Sequence, residues 1–228
     1  MARPTAEEQI PDPMEAIREA AWQQIAARGA AALSLRAIAR ELGVTAPAIY
    51  NYYRRRDDLV TALIVDAFTS LGESQAQALE HLPLGDLLAR FQALGRAYRA
   101  WALAHPQRYQ LIFGTPIPGY QAPIEITTPA AAASLQPLIV TLGACREAGL
   151  LRAWTYPPFS GPLEAMLREW SAAAGGIDLE VLYAALAVWS RVHGLVSLEI
   201  GQQYPVQIAA PGEIYRRELD LMTAAYLG

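Results

Sequence analysis

The sequence contains no lysine: all 18 of its basic residues are arginine. That absence excludes Schiff-base catalysis, the Walker-type phosphate loop and the kinase machinery, each of which needs a lysine ammonium. Cysteine is almost missing too. Cys145 stands alone, cannot close an intrachain disulfide, fits a reducing compartment and reads as a small core residue rather than a reactive thiol. The three histidines, His81, His105 and His193, include no pair at the i, i+4 spacing of a helical metal site. No Gly-x-Ser-x-Gly, Gly-x-Gly-x-x-Gly or paired-Cys pattern occurs. The expectation is a protein that is not an enzyme and carries no cofactor or metal. No apolar run approaches the roughly 18 residues that span a bilayer. The segment from Met1 to Pro13 is short, acidic and Pro-bearing, without the apolar stretch of a secretory signal. A cytoplasmic protein without a membrane partner is therefore expected.

What the chain has is apolar material and a local excess of positive charge. Its 228 residues are 53% hydrophobic and 18% charged, ample for a packed core. The net charge of -4 conceals a gradient. Residues 1–60 carry eight Arg and eight acids, whereas residues 61–228 carry ten Arg and fourteen acids. Between Arg28 and Arg56, six Arg face a single acid, Glu41. A concentrated patch matters more for phosphate contact than the total does.

Helical periodicity dominates. Met14, Ile17, Ala21 and Ile25 step by three and four residues, and Gly29 follows as a C-cap. Leu35, Ile38, Ala39 and Leu42 repeat the pattern between Ser34 as N-cap and Gly43. A third helix opens at Thr45, with Pro47 in its first turn and Val44 and Ile49 at staple spacing. A longer helix runs from Arg56 through Leu71, with Asp57 and Asp58 placed favourably for its dipole. Further helices are predicted near 84–104, 106–113, 128–148, 161–173, 178–200 and 213–227. Pro- and Gly-rich loops are expected from Thr115 to Pro129, Trp154 to Pro162 and Gln202 to Gly212. No repeat and no useful strand pattern appears, so the fold class is all-α.

Residues 34–52 read as helix, tight turn, helix, the arrangement of the DNA-binding helix-turn-helix. The second helix of that motif enters the major groove. Leu42, Val44 and Ile49 are spaced to pack inward, leaving Thr45, Ala46, Pro47, Ala48, Tyr50, Asn51 and Tyr52 to face outward. Small residues permit close approach to base edges, and tyrosine hydroxyls with Arg54, Arg55 and Arg56 can meet phosphates. By spacing alone, a small helical hairpin with a solvated Arg run fits equally well.

The run from Ile17 to Trp22, then Gly29, then the run from Leu33 to Leu59 resembles the N-terminal domain of TetR/AcrR-type regulators. Ile38-Ala39, Gly43-Val44-Thr45, Ile49-Tyr50, Tyr53, Arg56 and Leu59 fall in register over about 60 residues without a gap. The resemblance implies a recognition helix over Thr45–Tyr52, with Ser34, Arg36, Tyr50, Tyr52 and Arg56 as DNA contacts. Arg56 stands where Lys is usual, and Tyr52-Tyr53 stand where His-Phe is usual. No basic arm precedes Met14. A second resemblance joins the stretch from His105 to Phe113 with that from Val188 to Glu199. It is to the C-terminal domain of the subgroup named for Trp-His-Gly, through Trp189, His193 and Gly194. These resemblances imply a helix-turn-helix domain over residues 1–60 and a helical ligand-binding and dimerisation domain over 61–228. The implied protein is a ligand-responsive regulator, usually a repressor, that binds a palindromic double-stranded operator as a homodimer. A helical enzyme or protein-interaction module bearing a similar hairpin is the other reading.

Two further expectations concern the body. Tyr98, Trp101, Tyr109 and Phe113 are placed to line an effector pocket, although each also fits a core position. From Arg90 to Gly119 there are four Arg and no acid, so a neutral or anionic apolar or aromatic ligand is expected. Along 178–200, Leu182, Leu186, Trp189, His193 and Val196 are expected at a dimer interface, because that helix is apolar over most of its circumference. A helix buried at the centre of one chain's core is the competing reading.

Overall fold

The computed structural model describes residues 11–152 and 158–228. Among these residues it has ten α-helices and no strand, save one isolated antiparallel bridge between Leu151 and Leu227. In chain order the helices are α1 (Pro13–Arg28), α2 (Leu35–Glu41), α3 (Ala46–Tyr50), α4 (Arg56–Leu79), α5 (Leu87–Ala104), α6 (Pro106–Phe113), α7 (Ile124–Glu147), α8 (Gly161–Ala173), α9 (Leu179–Ile200) and α10 (Pro211–Tyr226). A single 3-10 turn, Ala30–Ala32, joins α1 to α2. The segment before residue 11 and Trp154, both weighed in the sequence, lie outside the described residues.

The local chemistry accounts for these boundaries. Asp12 caps α1 by accepting from the Glu15 amide at 3.0 Å, with Pro13 at the first helical position. Asp178 caps α9 through the amides of Glu180 and Val181. One expectation fails: the loop foreseen up to Pro129 ends earlier, because α7 starts at Ile124 and carries Pro129 and Pro137 inside it. Proline removes one backbone donor, yet the helix has 24 residues over which to recover that loss. Buried Gln75 adds a tether within its own unit, donating to the Ser134 carbonyl at 2.8 Å.

Backbone contacts divide the chain into two compact units, residues 1–70 with 105–132, and residues 71–104 with 133–228. The first has a core of Ile17, Trp22, Ile38, Ile49, Leu59, Leu63 and their neighbours. Leu111, Ile112, Ile117 and Tyr120 pack against it. In the second, α5 packs on α9 and α10, and α8 packs on α9. There the Tyr215 hydroxyl donates to the Gly95 carbonyl, and Arg99 pairs with Glu199. Cys145 is fully buried in the same unit, and burial pushes its thiol pKa up, as an inert core cysteine requires.

Candidate nucleic-acid interface

The turn between α2 and α3 is closed by backbone bonds rather than by side chains. The Val44 amide donates to the Ala39 carbonyl at 2.9 Å, and the Gly43 amide to the Arg40 carbonyl at 3.3 Å. This is the paired bond pattern of a Schellman C-cap, and it requires a residue with positive φ. Gly43 supplies it at +70°. Before the turn, Ser34 caps α2 by accepting from the Ala37 amide. After it, Thr45 precedes α3 and Pro47 sits in the first turn, where a missing amide costs nothing. Ile38, Val44 and Ile49 are buried and clamp the two helices together.

The short α3 thereby presents one face outward. Pro47, Tyr50 and Asn51 are exposed, with Thr45, Ala46 and Tyr52 half-buried beside them. Arg36, Arg40, Arg54 and Arg55 are exposed around this face, while Ser34 is half-buried at its cap. Two residues depart from the expected arrangement. Ala48 turns inward and is only 8% exposed, because α3 must direct both Ala48 and Ile49 into the core to stay anchored. Arg56 is half-buried, with its Nη2 donating to the carbonyls of Ala30 at 2.9 Å and Ala31 at 3.2 Å. It locks the 3-10 turn onto the start of α4, a structural duty that the sequence did not reveal. Arg55 is the N-cap of α4: its amide donates to Asp58, and its guanidinium pairs with the same carboxylate. That reciprocal arrangement resembles one half of a capping box.

The four aromatic residues expected around a ligand are divided between the two units. Tyr98 and Trp101 are buried in the second unit, where the Tyr98 hydroxyl lies 3.0 Å from His193 Nδ1. Tyr109 and Phe113 belong to the first unit and stack edge-on, their centroids 5.2 Å apart. The reason is the break at His105-Pro106, which ends α5 and starts α6 in different surroundings. A cavity of about 400 Å³ does occur in the first unit, between α4, α6, the α6–α7 loop and the start of α7. None of the four lines it. Tyr120, another aromatic residue of the body, does, and its hydroxyl lies 2.9 Å from that of Thr61. Burial raises the phenol pKa of Tyr120.

The residues expected at a dimer interface also separate. Leu182 and Val196 are fully buried within the chain and belong to its own core. Leu186 is exposed, and Trp189 and His193 are half-buried with their rings 5.2 Å apart. An all-round apolar helix spends one face on its own core, which is why the five could not all point the same way.

Residues 17–63 match the family model described as bacterial regulatory proteins, tetR family. Residues 91–222 match the tetracyclin repressor-like C-terminal domain. The likeness to the Trp-His-Gly subgroup stays at the level of the residues quoted for it. An HTH-type transcriptional regulator of Mycobacterium tuberculosis is 32% identical over 212 residues, which cover 91% of this chain and 89% of that protein. The crystal structure of a candidate regulatory protein, SCO4313, superposes with a TM-score of 0.76 at 36% identity, covering 97% of this chain and all of that one. A protein of unknown function from Rhodococcus sp. RHA1 superposes with a TM-score of 0.72 over 94% and 95% of the two chains; at 23% identity it speaks for the fold alone.

Proposed function

Because this chain belongs to the TetR family and is a DNA-binding transcriptional regulator rather than an enzyme, we propose that it works as a ligand-responsive repressor. In this reading, residues 1–60 form the DNA-binding domain and residues 61–228 the ligand-binding and dimerisation domain. The observation that carries the reading is the outward face of α3, with Pro47, Tyr50 and Asn51 exposed and ringed by Arg36, Arg40 and Arg54. Asn51 is suited to bidentate contact with an adenine edge, and the arginines to phosphates. Thr45, Ala46 and Tyr52 flank the contact, Ser34 and Arg36 meet the backbone from the start of α2, and Arg56 holds the frame.

A palindromic operator needs two such heads about 34 Å apart, hence a two-fold dimer. Leu186 and Leu198 on α9 and Leu221 on α10 are exposed apolar residues suited to that contact, with Trp189 and His193 beside them. Both α7 and α9 are apolar and long enough to cross a membrane by composition alone. In a cytoplasmic DNA-binding regulator, such faces pair with other helices rather than lipid. An effector releases DNA only by binding the off-operator conformation more tightly than the other.

Selection of an operator from random DNA, followed by footprinting and sedimentation, tests the reading. The expected outcome is a palindrome protected by a dimer. A monomer that binds half-palindromes as tightly as full sites would overturn the dimeric part, and failure to enrich any sequence would overturn the whole.

A further inference from the structure

We propose that the cavity of the first unit is the effector site, and that its ligand is an uncharged, largely hydrocarbon molecule carrying one oxygen acceptor. The proposal rests on the reading of the chain as an effector-responsive repressor and supplies what that reading lacks: a place and a chemistry. At about 400 Å³ the cavity falls within the roughly 300–1,000 Å³ of small-molecule sites. Its walls are mainly apolar, with Ile64 and Phe68 from α4, Leu111 and Ile112 from α6, and Ile117 from the loop. No lining residue is charged. The arginine closest in sequence to the α6 wall, Arg108, is already held by Asp66. A carboxylate or ammonium ligand would lose its hydration and meet no counter-ion, the most costly form of burial.

The polar side chains that line the cavity, those of Thr115, Tyr120, Thr127 and Thr128, all carry hydroxyls. Thr61, behind Tyr120 and outside the lining, donates its single hydroxyl proton to the Asp57 carbonyl, so Tyr120 is the donor in the bond between the two hydroxyls. Thr127 likewise donates to the Pro123 carbonyl. The exposed hydroxyls of Thr115 and Thr128 can donate to a ligand oxygen at the mouth. An alkyl ketone or ester matches that pattern, with its chain among the aliphatic walls and its carbonyl at the threonines.

The same walls carry the link to DNA. Ile64 and Phe68 lie two residues on either side of Asp66, and Leu111 and Ile112 follow Arg108 by three and four residues on α6. Arg108 and Trp22 of α1 both donate to Asp66, so a molecule wedged between α4 and α6 strains the bond that also holds the first helix of the DNA-binding head. Binding and head position are thereby coupled within one compact unit.

The test uses three size-matched probes, 2-decanone, decanoate and decylammonium, titrated calorimetrically against the full chain at pH 7.5. The ketone is expected to bind at least tenfold tighter than either ion. Ala122→Trp, at an exposed position on the rim, is expected to weaken the ketone at least tenfold while the ligand-free melting temperature stays within a few degrees. Trp101→Ala, in the other unit, retains ketone affinity if it folds. Should Ala122→Trp not fold, Thr128→Val replaces it and is expected to weaken the ketone severalfold. Decanoate binding as tightly as the ketone, absent ketone binding, or a ketone unaffected by the rim variants would overturn the site. With a selected operator bound, saturating ketone is expected to lower operator affinity at least tenfold. Unchanged operator affinity overturns the effector role. Ketone binding by a protein that enriches no operator would instead sink the repressor reading and leave the site standing.

Discussion

Asp66 and Arg108 are joined by a 2.7 Å hydrogen bond from Nη1 to Oδ2. The same oxygen accepts the indole proton of Trp22 at 2.9 Å, and the Arg108 guanidinium lies 4.8 Å from the centre of the Trp22 ring. One carboxylate oxygen thus fastens α1, α4 and α6 at a single point. The side chains are partly exposed, at 33% for Asp66 and 21% for Arg108, so solvent screens the ion pair while the directional bonds persist. Asp66→Ala leaves two donors without their acceptor and is expected to cost about 1–3 kcal/mol in urea unfolding. Arg108→Lys is expected to restore only part of what Arg108→Ala loses, because an ammonium neither forks nor stacks. A double-mutant cycle with additive effects would show that the two residues act separately.

The arginines around α3 are expected to divide by role. Arg54 is exposed, whereas Arg56 spends one nitrogen on the Ala30 and Ala31 carbonyls. Arg54→Ala should lower the salt slope of operator binding by about 0.9 and leave folding stability unchanged, as the loss of one phosphate contact would. Arg56→Ala should instead destabilise the protein by about 1–2 kcal/mol through its lost charged hydrogen bonds. Salt titration of binding and urea titration of folding, run on both variants, check this division. A normal stability for Arg56→Ala would return it to the phosphate contacts.

Base preference is expected to follow exposure on α3. Asn51→Ala should relax preference at one operator position by about 1–3 kcal/mol. Ala48, being buried, should not re-specify the site; Ala48→Leu should overpack the anchor of α3 and cost about 1–3 kcal/mol of stability. Operator selection repeated with each folded variant reads the difference. A new preferred sequence from Ala48→Leu with unchanged stability would place residue 48 against the bases.

The head was legible because each of its signals is local. Ser34, Gly43 and Pro47 fix the ends of two helices within a few residues, and the structure uses all three in that way. The orientation of Ala48 was not legible, since on a five-residue helix one residue's rotation depends on what it packs against. Arg56 presents the same difficulty: its partners lie 26 and 25 residues earlier, and nothing in the local sequence marks them. The division of the four aromatic residues was not legible for a third reason. Tyr98 and Trp101 stand near Tyr109 and Phe113 in sequence, yet the helix break at His105-Pro106 sends them to different units. The cavity draws on α4, α6 and α7 together, and no window of sequence contains all three.

Gly43 isolates a backbone effect. Its φ of +70° lies in the left-handed region, and a Cβ placed there would meet nothing within 4 Å. Gly43→Ala therefore creates no clash, and its whole cost is conformational, about 1–2 kcal/mol. Gly43→Asn should cost less, since asparagine tolerates that region better. Thermal unfolding of the two variants orders them, and equal stability for alanine and glycine would contradict the positive φ.

His193 sets a pH dependence whose sign can be worked out. Its ring sits against Trp189, with Nδ1 3.0 Å from the Tyr98 hydroxyl and Nε2 3.4 Å from that of Ser197. Burial lowers its pKa, so the folded chain holds the ring neutral at a pH where the unfolded chain, with a pKa of about 6.5, takes up a proton. Proton uptake by the unfolded state favours unfolding. The contribution is fully present above about pH 6.5 and is lost as the pH falls from there toward the lowered folded value. His105 is shifted the same way by burial and by Arg108, so it adds to the slope in the same window. Chemical unfolding at pH 7.5 and 5.5 should therefore show the wild type losing stability on acidification. His193→Gln, which keeps a polar group near Tyr98 but cannot titrate, should lose less over the same interval. A slope unchanged by His193→Gln, or stability that rises toward pH 5.5, would mean that the ring is charged in the folded protein.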